Sequence, residues 1–125
     1  MTLRKVGFFF ELPSQERINA IQSIRQEAPY TDEEKIVGYL ESGAVYGAMP
    51  NVEEDMLSDP PQIIGPTRVQ TDGVWAWPQT LTYYIHRYHI ALPEEFVTHM
   101  RVRGWKCPPN LDTSQFTLEG EVSMD

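Results

Sequence analysis

Thr71–Trp105, TDGVWAWPQTLTYYIHRYHIALPEEFVTHMRVRGW, decides the fold. Arg68–Thr71 and Val74–Trp77 flank Asp72-Gly73, a dipeptide suited to a tight reversal between two strands. Trp75 and Trp77 then point to one face, because strand side chains repeat every two residues. Pro78 suits the first position of a helix, where its missing N–H costs nothing. Leu81, Tyr84, Ile85 and Tyr88 fall at i, i+3, i+4 and i+7, one apolar stripe of a helix against which the tryptophans can pack. Pro93 opens a second helix with Phe96, Val97 and Met100 inward, and Gly104 supplies its stop.

Working back toward the N-terminus, Leu3–Phe10 alternates as a strand, with Val6, Phe8 and Phe10 on one side. Ser14 is placed to cap a helix carrying Ile18, Ile21, Ile24 and Ala28, which Pro29 stops. Thr31-Asp32-Glu33-Glu34 fits a capping box at the start of another helix, with Ile36, Val37 and Leu40 inward and Gly43 as a left-handed stop. Ala44–Met49 reads as a strand ended by Pro50. Asn51-Val52-Glu53-Glu54 reads as a further helix start, giving a short turn with Met56 and Leu57. Beyond Trp105, a Cys107-Pro108-Pro109-Asn110 loop leads to a terminal strand or tail, 106–125, with Phe116, Leu118 and Val122 on one side. The order β-α-α-β-β-β-α-α-β does not alternate regularly, which disfavours a parallel doubly wound sheet. The expectation is one α+β domain over 1–125, with a small, mainly antiparallel sheet packed by about four helices.

The 125 residues carry a net charge of −8. Such a field repels nucleic acid and speeds encounter with basic partners. Its ten basic residues are scattered, so no nucleic-acid partner is expected. Residues 31–60 hold Asp32, Glu33, Glu34, Glu41, Glu53, Glu54, Asp55 and Asp59 against Lys35 alone, which leaves −7 of the total in that sector. A solvated face is the plain reading of such a run. A docking surface for a basic protein is the sharper one. No apolar run reaches the about 18 residues of a membrane span, and Val6–Phe10 is too short for a signal peptide, so a cytoplasmic protein is expected.

Chemistry-bearing motifs are sparse. His86 and His89 lie three apart on one helix and could face one ion, and His99 follows Glu95 by four on the next. Yet no HExxH, EF-hand loop or His-Cys set occurs. Glu94 and Glu95 suit a helix start, and Asp72 suits a turn. The single Cys107 cannot form an internal disulfide or a cysteine zinc site, and carries no local signature of a nucleophile. No GxSxG, GxGxxG or GxxxxGK[ST] is present, so no catalytic residues, metal or cofactor are expected. Tyr83 falls off the helical stripe, which makes it the aromatic expected to be exposed as an interface anchor.

Ile36–Gly43 (IVGYLESG), Thr71–Pro78 (TDGVWAWP), Leu81–Tyr88 (LTYYIHRY) and Leu92–Met100 (LPEEFVTHM) resemble small bacterial immunity proteins encoded beside polymorphic toxins. The resemblance spans roughly residues 36–105 and rests on fold-forming residues. It implies a protein that binds and neutralises a cognate toxin domain, with no catalytic residue to carry over. Together with the charge, it makes Asp32, Glu33, Glu34, Glu41, Glu53, Glu54, Asp55 and Tyr83 the expected partner-binding set. Two other classes fit the same residues: a small metal-dependent or hydrolytic enzyme using His86, His89 and carboxylates, and an adaptor or chaperone for a secreted effector that binds an extended segment at a sheet edge.

Overall fold

The computed structural model describes residues 1–120. Its strands are β1 (Thr2–Lys5), β2 (Ala44–Asp55), β3 (Gln62–Thr71), β4 (Trp75–Pro78) and β5 (Thr117–Leu118). Its helices are α1 (Ser14–Ser23), α2 (Glu33–Glu41), α3 (Leu81–Tyr88) and α4 (Glu94–Val102). Their order is the one the sequence predicts, and the domain is α+β. One curled sheet runs β2-β3-β4-β1-β5. The longer ladders, β2–β3 and β3–β4, are antiparallel; β1 is parallel to both β4 and β5.

The Asp72-Gly73 reversal joins β3 to β4 with Gly73 at φ +95°, a backbone angle that suits glycine. Alternation along β4 builds both sides of the sheet. Trp75 and Trp77 pack on Phe96 of α4, with ring centroids 4.8 and 5.6 Å apart. Ala76 turns to the other face, where it meets Leu3, Val69 and Leu118. The main core lies on the tryptophan side and takes Ile36, Val37 and Leu40 from α2, Leu81, Tyr84, Ile85 and Tyr88 from α3, and Phe96, Val97 and Met100 from α4. These are the inward residues the helical spacing selects.

Several boundaries depart from expectation, each for a local reason. β1 stops at Lys5 because Gly7 takes φ +75° and Phe9–Glu11 form a 3-10 turn. α1 ends at Ser23, well before Pro29; Arg25 instead bridges to Ile90. Neither expected cap forms: Pro13 precedes α1 and Asp32 precedes α2, without a side-chain bond to the helix. Pro78 closes β4 rather than opening α3, whose preceding residue is Thr80. β2 continues through Pro50 to Asp55, so 51–54 is strand and not a helix start. Proline is tolerated there because β2 is an edge strand with register shifts on both sides of that stretch. Val122 lies outside the described residues.

Gly43 is not a left-handed stop; Ser42 ends α2 in the ordinary helical region. Its lack of a side chain serves packing, since a Cβ there would lie 2.6 Å from Trp77 Cζ2. Gly43→Ala is therefore expected to lower stability by about 1–3 kcal/mol in chemical denaturation, as overpacked cores do. An unchanged midpoint would show that the Trp77 ring can yield.

Candidate functional site

The expected acidic set divides into an exposed part and a buried part. α2 carries the exposed part. Its inward residues fix the helix against the core, which leaves Glu34 and Glu41 in solvent. They are seven residues apart and so lie on one face of the helix, two turns apart. Asp32 sits just before the helix, half-buried, with Lys35 Nζ 3.9 Å from its Oδ1.

Glu33 is half-buried and reaches across to α3. Its carboxylate lies between two imidazoles, 3.6 Å from His86 Nδ1 and 3.5 Å from His89 Nδ1. His86 also borders a groove of about 430 Å³, whose walls include Glu41, Ile64, Pro66, Gln70 and Tyr83. The fold thus gathers Glu33, Glu41 and Tyr83 along the seam between α2 and α3.

Glu53 and Asp55 are not part of that surface. They are 4% and 0% exposed, against the expectation that both meet a partner. The physical reason is hydrogen bonding to residues far along the chain. Asp55 Oδ2 accepts the hydroxyls of Tyr83 and Tyr88, each at 2.6 Å, and its Oδ1 accepts the Leu57 N–H at 2.9 Å. A buried carboxylate so supplied with donors does not need water. Glu53 accepts the Thr80 hydroxyl at 2.9 Å, and burial pushes its carboxyl above the usual range. Only Glu54 between them is exposed.

Tyr83 is correspondingly not a free anchor. It is half-buried and its hydroxyl is committed to Asp55. Burial, then the Asp55 carboxylate, push its phenol up to about 12. It still lines the groove.

Asp72 carries more than a turn. Its Oδ1 accepts the N–H groups of Val74 and Trp75 at 2.9 and 2.7 Å, as a turn aspartate does. Its Oδ2 in addition accepts the Tyr39 hydroxyl at 2.5 Å and meets His99 Nε2 at 3.0 Å. Arg103 donates to its backbone carbonyl at 2.9 Å. Burial, then the Asp72 carboxylate, hold the Tyr39 phenol well above its ordinary value.

A His–Asp pair of this kind can orient a general base, but the nearby thiol is not activated. Cys107 Sγ donates to the Tyr39 carbonyl at 3.2 Å, and burial pushes it up, the reverse of what a nucleophilic cysteine needs. The three histidines do not converge. His99 belongs to Asp72, while His86 and His89 share Glu33, and Glu95 is bound by Arg4 at 2.6 Å. Among the described residues, no group of three or more His, Cys, Asp or Glu side chains is arranged to hold a metal ion. Among them too, no helix is long and apolar enough to cross a membrane.

Comparison of the chain with protein-family models, with curated proteins and with solved structures finds no match.

Proposed function

We propose that this chain is an immunity-type protein of the cytoplasm, which binds and neutralises a basic toxin domain through the acidic face of α2 and the adjoining groove. The observation that carries the reading is the seam itself. Exposed Glu41, half-buried Tyr83 and His86 meet around one groove of about 430 Å³. Glu34 lies on the same face of α2 as Glu41, and the whole chain stands at −8. A groove of that kind accepts a protruding basic side chain, with the tyrosine ring offering apolar contact to its stem. Long-range attraction between opposite charges raises the rate of capture. Resemblance to immunity proteins over residues 36–105 points the same way.

The test reverses the exposed charges and leaves the buried ones alone. Glu53 and Asp55 are unsuitable, because their replacement disturbs the fold. Each exposed pair at the rim is worth about 0.2–1 kcal/mol, and reversal adds repulsion of similar size. The double variant Glu34→Lys/Glu41→Lys is expected to weaken toxin binding by about 2 kcal/mol, roughly thirtyfold in Kd. Most of the loss should fall on the association rate, and the gap should narrow as salt is added. The readout is growth of cells expressing the neighbouring gene's product with either version of the chain, alongside binding kinetics. Full protection by a folded double variant defeats the reading.

A further inference from the structure

The β2–β3 hairpin is patterned inside out. A hairpin with one covered face ordinarily turns apolar side chains inward and charge outward. Here Glu53 and Asp55 are buried, while Val52 is 57% exposed. Across the ladder Ile63, opposite Glu54, is 73% exposed, and Pro66, opposite Val52, is exposed as well. Residues opposite one another share a face, so Val52, Glu54, Ile63 and Pro66 form one outward surface, which adjoins the α2–α3 groove at Pro66.

A register slip of a single residue would reverse this arrangement. Three anchors oppose the slip: Asp55 on Tyr83, Asp55 on Tyr88, and Glu53 on Thr80. The fold thus holds its carboxylates inside and its valine and isoleucine outside. Val45 and Met49, farther along β2, are exposed too. An apolar surface gathered on one hairpin of a strongly charged domain marks a contact surface. β2 is also an outer strand of the sheet.

We propose that β2, centred on Val52, docks an extended segment of another protein in which basic and apolar residues alternate, added to the sheet as a further strand. This rests on the reading that the chain works by binding a basic protein, and it names the form of the segment bound. Charge complementarity selects the occupant. No Lys or Arg occurs from Ala44 to Thr67, whereas Glu54 and Asp59 stand exposed there. Exposed Glu54 beside exposed Val52 is matched by a basic residue next to an apolar one on the incoming strand. A second copy of this chain matches poorly, because it would bring like charges together and set two bodies of −8 side by side. Pro50 has no N–H to offer a ladder, and β2 carries extra residues between Ala48 and Val52, whereas the shift between Glu53 and Glu54 leaves its extra residue, Ile64, on β3. The added strand is therefore short, reaching Val52–Asp55 and little beyond.

The full chain, labelled with nitrogen-15, is titrated with two end-capped heptapeptides, one alternating lysine and valine, the other glutamate and valine. Expected are shifts of the Val52–Asp55 and Ile63 amides with the lysine peptide and none with the glutamate peptide. Val52→Ser/Ile63→Ser should weaken that binding at least tenfold without moving the melting temperature. Equal binding of both peptides, no shift at millimolar lysine peptide, or shifts confined to the α2–α3 groove each overturn the proposal. So do the same shifts on concentrating the chain alone, which would assign the surface to a second copy. The serine variant is also scored for protection against the toxin. If it protects fully while Glu34→Lys/Glu41→Lys does not, strand docking falls and the immunity reading stands. If the neighbouring product proves harmless while the lysine peptide binds as expected, the immunity reading falls and strand docking stands.

Discussion

Asp55→Ala is expected to lower the unfolding free energy by about 3 kcal/mol, a large part of the about 5–15 kcal/mol available to a domain. The side chain is wholly buried and binds two phenols and one backbone N–H. Hydrogen bonds to a charged acceptor are each worth about 1.5–3 kcal/mol, and buried donors left behind lose both protein and water. The loss falls short of their sum, because Tyr83 is half-buried and water can replace part of what it loses. Glu54→Ala, one position away and exposed, should change stability by no more than about 0.5 kcal/mol. Urea denaturation of the two variants makes the comparison. Similar midpoints would mean that Asp55 contributes nothing beyond an ordinary surface acid.

The same cluster gives an alkaline signature. The phenol of Tyr83 is pushed from its ordinary value of 10.0 to about 12, and that of Tyr88 is raised as well, in both cases by burial first and Asp55 next. A group that holds its proton more tightly when folded stabilises the fold fully below its unfolded value. That contribution is lost as pH rises through the folded value. Stability should therefore fall between about pH 10 and pH 12, and more steeply in the parent than in Asp55→Ala. Parallel curves would show that the carboxylate does not set the phenols.

Trp77→Ala is expected to cost about 4 kcal/mol. Trp77 heads the fully buried side chains by size, with Tyr39 and Phe96 at centroid distances of 6.1 and 5.6 Å. Its Nε1 donates to the Leu40 carbonyl at 3.1 Å, so truncation opens a cavity and also leaves the end of α2 short of a donor. Trp77→Phe keeps a ring but not the N–H, and should lose about half as much. A cost below about 1 kcal/mol for the alanine variant would mean that α2 and α4 collapse into the space.

Legible in the sequence is whatever depends on near neighbours in the chain. The α3 stripe, the α4 start after Pro93, the reversal at Asp72-Gly73 and the stop at Gly104, which sits at φ +66°, are all local patterns. Local patterns mislead where distant residues settle the matter. Thr31 and Glu34 match a capping box, yet the packing of Ile36, Val37, Tyr39 and Leu40 fixes where α2 begins. Glu53, Glu54 and Asp55 look alike in a row of acids. What separates them is Thr80, Tyr83 and Tyr88, about thirty residues on. A faint signal was present: Val52-Glu53-Glu54-Asp55 follows a proline and suits a strand's period as well as a helix's. Asp72 sits in the turn that its residue type suits, but its links to Tyr39 and His99 cross 33 and 27 positions and leave no trace in spacing.

The slot of β1, between β4 and β5, ties distant parts of the chain together. Its partners are Trp75 and Ala76 on one side and Thr117 and Leu118 on the other. Contacts at such long sequence separation cost loop-closure entropy before they are rewarded, which slows folding. The β2–β3 hairpin and α3 close locally, so they can form ahead of the centre of the sheet.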